Sequence, residues 1–338
     1  MSEIKLSILD QSPIYEGEKG ADAIAHTVAL AQRAEQLGYY RFWVSEHHDG
    51  ALAGSSPEVL ISYLIPHTQR IRLGSGGVML QHYSPYKVAE NFNLLSTFAP
   101  GRIDLGIGRA PGGLPRSTQA LQRGSASSLT LEEKLEELKH HIDGTIPENH
   151  ELAGIQASPI PDIPPQLFLL GTSEGSAQLA AERGLDYVFA LFINSDPETA
   201  DNALRLYRAS YQQKYNRKPR TVLAVNVIVA ETDEAASALI THRKNVRVTL
   251  ADGRSLNLTT VEQAEEFGKN SGQSYTIKER DAFIVSGSKQ TVRKQLLQLV
   301  VQYEVDELIA VTNVQDFTAR ITSYELLSEA LSHTSIGS

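Results

Sequence analysis

Apolar positions along this chain follow two periods in alternation. Short apolar runs are each followed by a stretch whose apolar residues recur every three or four positions. Leu6 to Asp10 reads as a strand. Asp22 to Leu37 reads as a helix with Ile24, Val28, Ala31, Ala34 and Leu37 on one face and Gly38 to stop it. Tyr40 to Ser45 is the second strand, and Pro57 opens the next helix at a position where a missing N–H does no harm. Arg70 to Leu80 is a third strand with glycines inside it, Pro85 to Phe98 a helix, and Arg102 to Gly108 a fourth strand. The alternation resumes with strands at Gln166 to Gly171, Asp186 to Leu191, Thr221 to Ala230 and Asp306 to Val311. Helices are predicted at Glu174 to Arg183, Pro197 to Tyr215, Asp233 to Lys244, Thr291 to Tyr303 and Phe317 to Leu331.

Strands alternating with helices predict parallel βα units, and eight such units close a barrel. The expected fold is a (β/α)8 TIM barrel that forms a single domain over residues 1–338. An open doubly wound sheet is the competing arrangement of the same units. Two stretches break the repeat. Residues 110–165, after strand four, hold Gly112-Gly113, a charged helix from Leu129 to Asp143 and a proline-rich tract. Residues 245–285, after strand seven, are rich in Gly, Ser, Asn and Thr. Long insertions near C-terminal strand ends lie where barrel active sites sit. The second is expected to be a lid; a surface excursion fits its sequence equally well.

Composition narrows the function classes. Hydrophobic residues make up 41 % and charged residues 21 %, as in ordinary globular proteins. The absence of cysteine excludes disulfides, thiolate metal sites and cysteine nucleophiles. A net charge of −9 offers no basic footprint for nucleic acid. No apolar run approaches a membrane span, and the first residues do not read as a signal peptide, so a cytoplasmic location is expected.

Four clusters carry candidate chemistry. Ser45-Glu46-His47-His48 follows the second strand, at the expected barrel mouth, where a histidine suits acid–base work near neutral pH. Neighbouring residues of an extended segment point opposite ways, so one of His47 and His48 faces the cavity. A satisfied polar strand end is the bland alternative, and no ligand spacing for a metal is evident. Gly74-Ser75-Gly76-Gly77 places bare backbone inside a strand. It indicates either a bulge where a ligand or another chain segment comes close, or a tight bend of the barrel. Arg109 ends strand four with a guanidinium fork that suits a phosphate, although a surface salt bridge is the commoner use. Gly171, Thr172, Ser173 and Ser176 lie between a strand and a helix start. Backbone N–H groups and hydroxyls there would make an anion site, or simply cap the helix. With Arg109 they would form a phosphate clamp.

The runs WVSEHH (43–48), RLGSGGVMLQHYSP (72–85), AENFNLLS (89–96), GRIDLGIGRAPGG (101–113) and LLGTSEGSAQLAAERGLD (169–186), in this order and spacing, resemble the bacterial luciferase-like flavin monooxygenases. Within that family the chain is similar to an uncharacterised, MsnO8-like branch. The resemblance implies a barrel that takes reduced FMN from a separate flavin reductase. Oxygen adds to the flavin as a peroxyflavin, which then oxidises a small organic substrate. It makes His47 the catalytic histidine, with Glu46 and His48 as companions. It places a cis peptide at Gly76-Gly77 beneath the flavin ring, next to Ser75. It assigns the flavin phosphate to Arg109 and to Gly171, Thr172, Ser173 and Ser176, and it implies a homodimer through the helices from residues 57 and 85. Gly108 replaces the cysteine of the light-emitting members, which argues against bioluminescence. A hydride-transferring relative using the deazaflavin F420, or a non-catalytic flavin-binding protein, are the alternatives. The substrate stays open.

Overall fold

A computed structural model of the protein describes residues 4–108, 112–113, 115–123, 129–241, 244–253, 255–258 and 261–332, with backbone only at 255–257. The chain begins with β1 (Lys5–Asp10), α1 (Gly20–Gln36), β2 (Arg41–Val44), α2 (Pro57–Leu64), β3 (Arg72–Val78), α3 (Pro85–Phe98) and β4 (Ile103–Ile107). After α4 (Pro115–Leu121) and α5 (Leu131–Asp143) come β5 (Gln166–Gly171), α6 (Glu174–Arg183), β6 (Asp186–Ala190), α7 (Pro197–Tyr215) and β7 (Thr221–Val229). There follow α8 (Asp233–Leu239), β8 (Lys244–Leu250), β9 (Ser255–Leu258), α9 (Val261–Asn270), β10 (Tyr275–Asp281), β11 (Ile284–Gly287), α10 (Lys289–Tyr303), β12 (Glu307–Val311) and α11 (Phe317–Leu331).

Strands β1 to β7 pair in sequence, all parallel, and β12 closes the ring between β7 and β1. This is the expected eight-stranded TIM barrel, and the doubly wound alternative falls away because the sheet has no open edge in the ring. Alternate strand residues face inward. Leu9, Trp43, Phe168, Val188, Ile309 and their neighbours form an apolar plug inside the ring. Outward residues such as Phe42, Leu105 and Leu223 join the larger core beneath the helices.

Below the plug, at the N-terminal ends of the strands, lies a buried ionic layer. Arg41 has no exposed surface and reaches Asp104 at 2.6 Å and Glu307 at 2.7 Å; Trp43 Nε1 donates to Asp104 at 3.0 Å. Removing one member of such a network costs about 3–5 kcal/mol, because the others are left charged and unpaired. This floor closes the barrel at the N-terminal ends of its strands.

Two departures from the sequence reading concern the stretch after β7. The helix expected at Asp233 to Lys244 ends at Leu239, and Lys244 begins a strand. Residues 245–285 are not merely loop. They hold a three-stranded antiparallel sheet, in the order β10–β8–β9, with α9 packed on it through Val246, Val248, Ala264 and Phe267. Then β11 returns to pair in parallel with the end of β7. The earlier insertion contributes α4 and α5, and α5 is tied down by Lys134, whose Nζ donates to the carbonyls of Gln81 and Tyr83 at 3.0 Å each.

Candidate active site

The mouth is organised by the segment that leaves β2. Trp43 lies in the interior plug, so Ser45 and His47 share its side and Glu46 and His48 take the other. The side chains bear this out: His48 Nε2 lies 2.9 Å from Glu46 Oε1. Glu46 is buried and receives two further bonds, from the Met79 amide at 2.9 Å and the Tyr83 hydroxyl at 2.7 Å. Burial, followed by the neighbouring Glu46 carboxylate, pushes the Tyr83 phenol well above its ordinary value, so Tyr83 remains a donor. Glu46 thus locks the end of β3 against the end of β2. The His48 backbone is stitched to the first insertion, its N–H donating to Gly112 O at 2.7 Å and its carbonyl accepting from Ser117 Oγ at 3.2 Å.

His47 differs from its neighbours. Its amide donates to Gly54 O at 2.8 Å, but its half-buried ring has no hydrogen-bond partner among the described residues. Burial pushes its imidazole below the ordinary value, against a smaller opposing pull from Asp49. At neutral pH it is an uncharged group able to donate from one nitrogen and accept at the other.

Beside it the β3–β4 register shifts between Gly76 and Val78, and the Gly76–Gly77 peptide is cis. Backbone holds position 77 to glycine, whereas a methyl on Gly76 would meet the movable end of Leu9. A Cβ on Gly76 would come within 2.7 Å of Leu9 Cδ1, and one on Gly77 within 2.7 Å of Gly106 O. Of the two sequence readings, the bulge with close backbone approach is the one observed. Ser75 is fully buried, and its hydroxyl donates to Gly106 O at 2.9 Å while accepting from Gly106 N at 3.1 Å. Its side chain therefore fastens β3 to β4 and does not face the mouth.

Across the ring, Gly171 ends β5, and a side chain there would collide with the Ser176 hydroxyl. Ser173 caps α6, accepting from the Ser176 amide at 3.3 Å. Ser176 is buried, and its hydroxyl lies 2.7 Å from Ser173 O and 2.8 Å from the Tyr187 hydroxyl. It shapes the loop from inside. Thr172 lies half-buried at the loop's tip, its carbonyl held by Asn194 Nδ2 at 3.0 Å. Arg109 lies outside the described residues.

Two polar atoms on the inward side have no partner among the described residues: Ser45 Oγ at the end of β2 and Asn226 Oδ1 on β7. Asn226 shares the inward parity of Val222 and Ala224, which belong to the plug. A buried polar atom without a partner costs about 1–3 kcal/mol. Two of them above an apolar plug fit a site completed by a polar ring system. The sequence reading did not single out Asn226 or Tyr83. Asn226 was legible as a lone polar residue in an apolar strand; Tyr83 carried no signal, because its partner is 37 residues away. Among the described residues no cluster of His, Asp and Glu could hold a metal ion.

Comparison with known proteins shows the family. The luciferase-like monooxygenase family model matches residues 4–307. A Bacillus subtilis (strain 168) protein named N-acetyl-S-alkylcysteine monooxygenase is 46 % identical over 330 residues, 97 % of this chain and 98 % of that one. The crystal structure of apo-MsnO8 is 36 % identical, with a TM-score of 0.79 over 98 % of both chains. The oxygenating constituent of 3,6-diketocamphane monooxygenase from Pseudomonas putida, in complex with FMN, shares the fold at 18 % identity, with a TM-score of 0.72 over 97 % of both chains. The chain belongs to the luciferase-like monooxygenase family and is an oxidoreductase that acts with molecular oxygen.

Proposed function

We propose that the protein is a two-component monooxygenase that takes reduced FMN from a separate reductase and transfers one oxygen atom of O2 to a small organic substrate. The observation that carries this is the mouth itself: two unpartnered polar atoms, Ser45 Oγ and Asn226 Oδ1, above an apolar plug and beside the bare backbone of Gly76-Gly77. A flat, polar-edged ring fits that lining. Thr172, Ser173 and the first N–H groups of α6 would hold its phosphate, with Arg109 as the counter-charge.

When bound, the reduced flavin supplies two electrons and the place where oxygen is activated. One oxygen atom enters the substrate and the other leaves as water. His47 would move the proton this requires, its neutral ring being free to give or take one. Glu46 acts through others, holding His48, Tyr83 and the Met79 amide so that the two strand ends keep their spacing. The plug and the ionic floor keep water from entering from below.

The relative at 46 % identity bears the name of an N-acetyl-S-alkylcysteine monooxygenase, which makes small thioethers the first substrates to test. Homodimerisation belongs to the same reading. Val59 and Tyr63 on α2 and Phe98 on α3 are each more than half exposed, apolar side chains of the kind that association covers. No helix among the described residues is long and apolar enough to cross a membrane. Titration with FMN, reduced FMN and F420 tests the cofactor. Selective binding of reduced FMN is expected, and selective binding of F420 would overturn the proposal in favour of hydride transfer.

A further inference from the structure

Asp10 ends β1 and points away from the interior plug, because Leu9 beside it points in. It is fully buried and gathers side chains from two helices. Arg320 of α11 meets it as an ion pair, and the Thr27 hydroxyl of α1 donates to it at 2.6 Å. The Ser12 amide donates to it at 3.2 Å and the Ser12 hydroxyl at 3.4 Å. Arg320 and Thr27 are buried as well. A buried ion pair adds little net stability over apolar side chains of the same volume, which leaves the geometry it imposes as its contribution.

What it imposes is a turn. Ser12 has a φ of 49°, a conformation that a residue with a side chain adopts when its surroundings hold it there. The turn lays residues 12–14 antiparallel to 51–53. The Ala53 amide donates to Ser12 O at 2.9 Å, the Ile14 amide donates to Ala51 O at 2.8 Å, and Pro13 bridges Leu52. Gly54, next in line, accepts the His47 amide at 2.8 Å, and the Asp10 carbonyl accepts the Ser45 amide at 3.0 Å. The fit is close, since a Cβ on Gly54 would lie 2.8 Å from Ser45 O. Both inward residues at the exit of β2 thus have their amides seated on the frame that Asp10 holds. No hydrogen bond among the described residues fixes the His47 ring, so its place follows from that of its backbone.

We propose that Asp10 and Arg320 are positioning residues for His47. Their pair fixes the Ser12 turn, the turn seats residues 51–54, and that segment sets where the His47 ring stands. The consequence for chemistry rests on the oxygenase reading of the mouth; the mechanical link does not. Glu46 ties the same exit to β3 through Met79 and Tyr83, so the two frames are separable.

Hydrogen exchange followed by mass spectrometry, on the full chain without cofactor, tests the frame. In Asp10→Asn, peptides covering residues 45–54 exchange about tenfold faster, the ratio expected when a charge-assisted hydrogen bond becomes a neutral one, and those covering 76–83 keep the native rate. Arg320→Met has the same effect. Arg320→Lys keeps a charge where a single guanidinium nitrogen meets Asp10, and it retains native exchange. The Arg320 pair of variants carries the test if Asp10→Asn does not fold. In a single turnover with reduced FMN and a thioether, Asp10→Asn and Arg320→Met lose about 10- to 100-fold in oxygen transfer, while affinity for reduced FMN is unchanged. The missing oxygen leaves as peroxide. Leu296→Ala, a destabilised control in the core under α10, keeps native transfer. Equal acceleration at 45–54 and 76–83, native exchange at 45–54 in both charge-deleting variants, undiminished transfer in them, or the same loss of transfer in Leu296→Ala would each overturn the proposal. Faster exchange at 45–54 in variants of a protein whose native form yields only peroxide leaves the frame standing and refutes the oxygenase reading.

Discussion

Glu46→Gln keeps the shape of a buried side chain and removes its charge. In the native protein one carboxylate accepts from the Met79 amide, the Tyr83 hydroxyl and the His48 ring, at 2.9, 2.7 and 2.9 Å. Hydrogen bonds to a charged group contribute about 1.5–3 kcal/mol each and neutral ones about 0.5–1.5. Converting three from the first kind to the second loses about 3 kcal/mol. Relief of the buried charge returns part of this, which leaves a net loss of about 2–3 kcal/mol. For a chain of this length each kcal/mol lowers the melting temperature by about 1.4 °C, so the variant should melt roughly 3–4 °C early in a calorimetric scan. Tyr83→Phe should cost about 1.5–3 kcal/mol in the native background and about 1 kcal/mol less when combined with Glu46→Gln, since only a neutral bond is then lost. Because the Met79 amide follows directly on the Gly76–Val78 bulge, flavin affinity should fall roughly tenfold as well, about 1.4 kcal/mol. A Glu46→Gln protein that melts with the native one, or costs that simply add in the double variant, would refute the view of Glu46 as the joint between the two strand ends.

Three further outcomes follow from the same geometry. His47→Ala should lower coupled substrate oxygenation by about 10²–10⁴-fold while leaving flavin binding largely intact; an activity profile that depends on the neutral ring should fall on the acid side, below about pH 6.5, and a variant that turns over normally would remove His47 from the chemistry. Gly171→Ala should destabilise the loop between β5 and α6 by about 1–3 kcal/mol through collision with Ser176, whereas Gly175→Ala, with nothing within 4 Å of the new methyl, should be neutral or slightly stabilising; equal melting temperatures would contradict the packing described. His141 is buried on α5, and burial, outweighing the pull of Glu137, holds its pKa below the ordinary value. The unfolded chain therefore takes up the proton more readily, and stability that is complete above about pH 6.5 should decline as pH falls; His141→Gln should flatten that decline in denaturant melts, and an unchanged slope would refute the assignment.

The barrel was legible because its signal is local. Each strand and helix of the ring carries its own period, and α11 and α7 begin and end where the pattern of apolar residues does. The small sheet was less so. Val246, Val248 and Leu250 alternate with Asn245, Arg247 and Thr249, a period-two signal that the helical stretch before it and the abundant Gly and Ser after it obscured. Within the site, residues joined in sequence were legible as a group, and the alternation argument set His47 apart from His48. What sequence could not give were bonds across the fold: Glu46 to Tyr83, Ser176 to Tyr187, Ser75 to Gly106. Those bonds distinguish hydroxyls that face a ligand from hydroxyls that fasten the frame. Hence Ser75 and Ser176, read from sequence as part of the cofactor-binding set, have side chains committed inside the protein, while Asn226, unremarked, stands unpartnered on the inward side of the mouth.

Oxygen transfer at this mouth is tested most directly by a single turnover of the protein with reduced FMN, a thioether substrate and ¹⁸O2, followed by mass spectrometry of the product. One labelled oxygen atom is expected in the product per flavin oxidised, and in His47→Ala that label is lost to hydrogen peroxide. Release of all the oxygen as peroxide by the native protein across a broad substrate panel, or substrate oxidation that proceeds without oxygen, would contradict it.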